Sequence, residues 1–171
     1  MKTKKLLLII LIISTYTNSY AQTLSAEEKK LYDMIMQYRK ENGLSSIPLS
    51  RSLTFVAQTH VKDLVENMGY LTHAWSSCEY DSGNMNTYKC MWLKPRELTN
   101  YKGYGYECAH GGSGGYVATA LSSFNSWKNS APYNAVILNQ SIWANNHWKA
   151  IGVGILNGYA CIWFGEDFDN N

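Results

Sequence analysis

The sequence predicts an α+β fold, with helices packed against an antiparallel sheet. Three observations carry the prediction. Two amphipathic helix patterns, each opened by a capping serine, come early; a long aperiodic stretch rich in aromatics, glycine and asparagine fills the middle; two alternating apolar runs joined by Asn157-Gly158 come last.

The chain opens with Lys2, Lys4 and Lys5, continues with an apolar run from Leu6 to Ile13, and reaches Ser19-Tyr20-Ala21, a small-x-small pattern. This is the three-part layout of a cleavable export signal over residues 1–21, with cleavage expected after Ala21. Eight apolar residues are too few to span a bilayer, which takes about 20. Residues 22–171 are therefore expected to form one exported domain, secreted or periplasmic, with no membrane span.

In Ser25-Ala26-Glu27-Glu28 the serine and the glutamate three residues on form a capping box. Leu31, Met34, Ile35 and Tyr38 then repeat at helical spacing until Gly43. After Ile47-Pro48-Leu49, Ser50 caps a second helix whose buried stripe runs Leu53, Val56, Ala57, His60, Val61, Leu64, Val65 and Met68 before Gly69. His60 sits inside that stripe and reads as a core histidine bonded to backbone rather than as a ligand.

From Tyr70 to Gly115 periodicity is lost, and so long an irregular stretch needs cross-links and packed aromatics to hold it. Four cysteines in an exported chain suggest two disulfides, and three pairings are open. Cys78 and Cys90 flank the turn-rich Asp81 to Asn86, which favours that pair and leaves Cys108 with Cys161. No Cys-x-x-Cys spacing points to zinc or redox chemistry. Val117, Ala120, Leu121 and Phe124 predict a third helix to about Lys128, and Ser130-Ala131-Pro132 opens a fourth. Ile151–Leu156 and Tyr159–Phe164 alternate around Asn157-Gly158, a strong hairpin signal. The acidic end from Gly165 to Phe168 is expected to be loose.

Three of the fifteen Lys and Arg lie in the leader and none of the thirteen acids does, so the exported part is close to neutral. Neither a basic patch nor a basic amphipathic helix is evident, which argues against nucleic-acid partners and anionic membranes.

The order of segments resembles the CAP superfamily of cysteine-rich secretory, antigen 5 and pathogenesis-related-1 proteins, in its compact bacterial form. The resemblance rests on Gln37-Tyr38-Arg39-Lys40-Glu41-Asn42-Gly43-Leu44, Ala57-Gln58-Thr59-His60-Val61-Lys62-Asp63-Leu64, Tyr70-Leu71-Thr72-His73, Gly105-Tyr106-Glu107, Trp127-Lys128-Asn129-Ser130-Ala131-Pro132 before Ile137-Leu138, and Ile151-Gly152-Val153-Gly154. It implies an α-β-α sandwich with an open cleft. In many members that cleft holds two histidines and two glutamates. Position by position, one histidine falls on His73 and one glutamate on Glu107. Ser130 stands where many members have the second glutamate, Tyr133 replaces the second histidine, and Cys108 replaces the asparagine after the glutamate.

A phenol, protonated up to a pKa of about 10, is a poor stand-in for an imidazole lone pair, and zinc wants three or four ligands. No cofactor is expected. At most weak divalent-metal binding is foreseen, with His73, Glu107 and His110 as its candidates, His110 being one helical turn from Glu107 if that segment is helical. The leading reading is a non-catalytic ligand-binding or interaction module with a degenerate cleft of His73, Glu107, Ser130 and Tyr133. Its partner would be a small lipid, glycan, peptide or protein, held through an anionic or hydroxyl-bearing group. Aromatics from Trp75 to Tyr106 either offer stacking faces or simply pack the loops. The alternative is a hydrolase in which His73, Glu107 and Ser130 form a catalytic chain, although no Gly-x-Ser-x-Gly elbow is present.

Overall fold

A computed structural model describes residues 23–170; the export signal read from residues 1–21 lies outside them. Ser25 and Glu28 close the expected reciprocal cap, Glu28 N to Ser25 Oγ at 3.2 Å and Ser25 N to Glu28 Oε2 at 2.7 Å. Helix α1, Ala26–Glu41, follows and buries Leu31 and Ile35 completely. Ser50 accepts from Leu53 N at 2.9 Å and opens α2, Arg51–Asp63. A wider π-type turn, Leu64–Met68, ends that helix at Gly69, whose positive φ of 72° suits glycine.

The sheet has three antiparallel strands in the order β1-β3-β2: β1 is Tyr106–Gly111, β2 Ala150–Leu156 and β3 Tyr159–Gly165. Asn157 takes the left-handed conformation, φ 48°, that the tight turn demands. The central strand β3 is buried along its whole length, and side-chain alternation divides the core between its faces. Ile162 and Phe164 meet Leu31, Ile35, Trp127 and Ile137 on one side. Tyr159, Cys161 and Trp163 meet Leu53, Val56, Ala57 and Val61 of α2 on the other. This is an α+β sandwich, with α1 on one side of the sheet and α2 on the other. Close approach of α2 requires Gly152 and Gly154 on β2, because an added Cβ would lie 2.0 Å from Leu53 C and 2.5 Å from Ala57 C.

The middle segment contains more order than the sequence suggested. A 3-10 turn Met85–Thr87 leads into α3, Lys89–Trp92, and α4, Lys94–Leu98, before β1. Strand β1 escaped the sequence reading because Tyr-Glu-Cys-Ala-His-Gly carries polar residues on both faces. The third expected helix, α5, starts at Ala120 rather than near Val117 and runs to Lys128, because Thr119 and Ser122 cap it reciprocally. Val117 and Leu121 are exposed; Ala120, Ser123 and Trp127 form the buried stripe instead. Ser130 then precedes α6, Ala131–Ile137.

Two further expectations are corrected. Cys78 and Cys90 are bonded, but Cys108 and Cys161 are free buried thiols. Cys108 is opposite Ile162 and Ala109 is opposite Cys161 in the β1–β3 register, so the two cysteines point to opposite faces of the sheet. No disulfide can reach through it. The acidic end is also tied down: Asp169 accepts from Ser50 Oγ at 2.6 Å and Ser52 N at 2.8 Å at the start of α2, and Tyr101 donates to Asp167 O at 2.7 Å.

Candidate functional site

Glu107 lies on β1 opposite Trp163, on the sheet face that meets α2. Its carboxylate is fully buried, yet every donor it needs is at hand. His60 Nδ1 approaches Oε1 at 2.5 Å and Trp163 Nε1 donates to the same oxygen at 3.0 Å. His73 Nδ1 meets Oε2 at 2.6 Å. Burial alone would raise the carboxyl's pKa, but the two imidazoles outweigh it and hold the group down to about 2, below its ordinary 4.5.

His60 is completely buried, and its Nε2 lies 3.0 Å from Ala74 O, an acceptor only. Nε2 must therefore carry a proton, and with Nδ1 on a carboxylate the doubly protonated ring satisfies both contacts. Burial opposes that charge; Glu107 and the Ala74 carbonyl overcome it and raise the pKa. The ring also stacks on Trp75 at 4.4 Å, with Lys94 Nζ 5.1 Å from the same indole. His60 and Glu107 thus form a buried ion pair, and His60 does more than the core-packing role its place in the stripe suggested.

His73 lies at the boundary between this pair and solvent, its side chain 19% exposed. With Nδ1–H directed to Glu107, Nε2 presents a lone pair toward the Tyr133 hydroxyl at 3.3 Å. Burial, followed by Cys108 and Glu107, pushes the Tyr133 phenol up to about 12, so it remains a donor. The chain Glu107–His73–Tyr133 opens into a cleft of about 810 Å³. Tyr80, Tyr88, Met91, Tyr106, Pro132 and Trp143 help to line it. Tyr80 stacks on Tyr88 at 5.1 Å and sets its ring against His73 at 5.1 Å. The middle aromatics therefore divide between the two expected roles: Trp75 and Tyr101 pack the core, whereas Tyr80, Tyr88 and Tyr106 face the cleft.

The other predicted site residues fall elsewhere. Ser130 occupies the N-cap position of α6 without a side-chain cap bond and is not among the residues lining the cleft. The hydroxyl bonded to His73 is that of Tyr133. His110 lies on a strand, not a helix, so its three-residue offset from Glu107 places it on the opposite sheet face, where it bonds Tyr116 Oη at 2.8 Å.

This donor set does not fit a tightly held zinc ion. Glu107 spends both oxygens on three N–H groups, Tyr133 is protonated, and His73 Nε2 is the one imidazole lone pair facing the cleft among the described residues. His60, Glu107 and Cys161 also bring ligand atoms within 4.8 Å of one another. There His60 directs both nitrogens to acceptors, and the Cys161 thiol, its pKa driven up by burial, donates to Ala57 O at 3.3 Å.

Among solved structures, an extracellular protein containing an SCP domain from Bacillus anthracis str. Ames matches with a TM-score of 0.61 at 16% identity, over 82% of this chain and 40% of that one. A cysteine-rich secretory protein from Staphylococcus aureus subsp. aureus Mu50 matches with a TM-score of 0.55 at 16% identity, over 82% and 39%. The chain spans about two fifths of the length of either, and the likeness is one of fold. No curated protein matches it. The model of the cysteine-rich secretory protein family, CAP, matches residues 32–162, most of the chain. By that match over most of its length, the chain belongs to the CAP family.

Proposed function

We propose that this CAP protein is an exported, non-catalytic binding module whose cleft takes an uncharged, hydroxyl-bearing ligand with an apolar or ring-shaped body. The observation that carries the reading is the chain Glu107–His73–Tyr133 ending at an aromatic-lined cleft. His73 Nε2 is oriented as an acceptor by the bond its other nitrogen makes, and Tyr133 Oη beside it is a donor. A hydroxyl entering between them donates to the first and accepts from the second.

Charge supports the same choice. Neither Lys nor Arg lines the cleft, and its carboxylate is buried and paired with His60. An anionic ligand finds no fixed cation there, and a cationic one finds no exposed carboxylate. A hydrolytic reading lacks its nucleophile, because the hydroxyl at His73 belongs to Tyr133.

Native mass spectrometry of the protein purified from its source organism would identify the bound molecule. A neutral ligand is expected, with His73→Ala and Tyr133→Phe each weakening rebinding at least about tenfold, or 1.4 kcal/mol. A ligand with a formal charge, or binding indifferent to both substitutions, would refute the proposal.

A further inference from the structure

The cleft wall formed by Tyr80 and Tyr88 belongs to one loop, residues 79–89, and the Cys78–Cys90 bond closes its base. Among the described residues, the hydrogen bonds of the loop's side chains close on the loop itself. Asp81 N donates to Thr87 Oγ1 at 2.9 Å, Thr87 Oγ1 to Asn84 O at 2.7 Å, and Tyr88 Oη to Ser82 O at 2.6 Å. What links it to the body is the disulfide, the turn into α3, the ring contacts of Tyr80 with His73 and Tyr88 with Trp92, and the packing of Tyr80 against the core on the α2 side. The loop is thus a preformed flap carrying one side of the binding site, covalently pinned at its base.

Both bonded cysteines line a second groove of about 540 Å³ on the molecule, where Lys89 and Lys94 are balanced by Glu79 and Glu97. Cys90 is buried, whereas Cys78 is partly exposed, so the groove offers an incoming thiol its approach from the Cys78 side.

We propose that the Cys78–Cys90 bond is an exchange site for a dithiol reductant, and that opening it frees the tyrosine wall and weakens ligand binding in the cleft. One thiolate of the reductant attacks Cys78 Sγ, the S–S electron pair leaves on Cys90 Sγ, and that thiolate takes up a proton. The second thiol of the reductant then attacks the mixed disulfide, releasing Cys78 as a thiol and the reductant as its own disulfide. The protein gains two electrons and two protons, and the dithiol loses them. The gating half of the proposal rests on the cleft being the binding site.

The test treats the folded, oxidised protein with dithiothreitol without denaturant, followed by iodoacetamide. Two alkylations are expected, on Cys78 and Cys90, with the buried Cys108 and Cys161 unmodified. Deuterium exchange over residues 79–89 should accelerate at least about tenfold on reduction, with β3 unchanged. 2-Naphthol, an uncharged fluorescent dye with one hydroxyl on an apolar ring body, should bind the reduced protein at least about tenfold more weakly than the oxidised one. The Cys78→Ser, Cys90→Ser double variant should match the reduced protein, and reduction in place supplies the comparison if that variant does not fold. Reduction that requires denaturant would overturn the exchange site, and loop exchange that does not change on reduction would overturn the freeing of the tyrosine wall. Equal dye affinity in both states would overturn the gating alone; an oxidised protein that does not take the dye would overturn the cleft reading and the gating with it.

Discussion

Glu107→Gln is the sharpest perturbation of the site, because it preserves shape while removing one acceptor oxygen and the charge. In the native protein three N–H groups converge on two carboxylate oxygens. An amide has one oxygen. If that oxygen serves His60 and Trp163, the amide NH2 faces His73 Nδ1–H; if it serves His73, it faces the other two. His60 meanwhile keeps Nε2 committed to Ala74 O and loses its counter-charge in the core. Lowering the carboxyl from 4.5 to about 2 corresponds to about 3 kcal/mol at 1.36 kcal/mol per unit, and solvent screening does not reduce it, since the side chain is fully buried. Breaking a buried pair from one side typically costs about 3–5 kcal/mol, the same order. Urea unfolding at pH 7 should therefore show a loss of about 3 kcal/mol or more, with Tm lower by on the order of 10 °C. A loss below about 1 kcal/mol would refute the buried ion pair.

The remaining predictions concern pH, packing and metal. Glu107 titrates lower folded than unfolded, so its contribution to stability is complete above about 4.5 and is lost as pH falls toward about 2; Glu107→Gln should flatten this acid limb, and equal slopes in the two proteins would contradict the assignment. His60 has the opposite sign: its raised pKa gives stability that is full below 6.5 and declines as pH rises through the folded value, which His60→Gln should abolish in unfolding measured as pH rises from 6.5. Gly152→Ala places a Cβ 2.0 Å from Leu53 C and should cost about 3 kcal/mol or more in chemical denaturation, whereas a neutral result would show that α2 does not pack this closely. Tyr133→His adds a second imidazole beside His73 and should strengthen calorimetric zinc binding at least about tenfold; a parent already binding at submicromolar affinity, about 8 kcal/mol or more, would refute the claim that its donors do not fit.

The parts of the fold that could be read in the sequence are those whose signals are local. Ser25 with Glu28 and Ser50 before Leu53 announce helix starts because a cap is a contact across three residues. Asn157-Gly158 announces its turn because the backbone there needs a left-handed residue. The errors arose where the deciding contact was distant. Cys108 and Cys161 looked like partners by elimination, yet only the β1–β3 register reveals that they face apart. The terminal acids looked loose because nothing in their own sequence shows that Asp169 meets the serines opening α2.

The candidate site was half legible for the same reason. The sequence groups His73, Glu107, Ser130 and Tyr133; the structure joins His73, Glu107 and Tyr133 in one hydrogen-bonded chain and leaves Ser130 outside the cleft lining. His60, which completes the charge balance, was not recognised, because a histidine in an apolar helix stripe looks like packing. A usable signal was nevertheless present. If residues 106–111 are a strand paired with the terminal hairpin, Glu107 and Ala109 share one face and Cys108 and His110 the other. Glu107 then lies opposite Trp163, whose neighbours two residues away in β3, Cys161 and Gly165, share its face. That is the face on which Gly152 and Gly154 admit α2. A buried carboxylate facing a helix whose apolar stripe contains one histidine has a single plausible counter-ion there. Strand parity thus links His60 to Glu107, and through Glu107 it fixes which nitrogen of His73 faces the cleft.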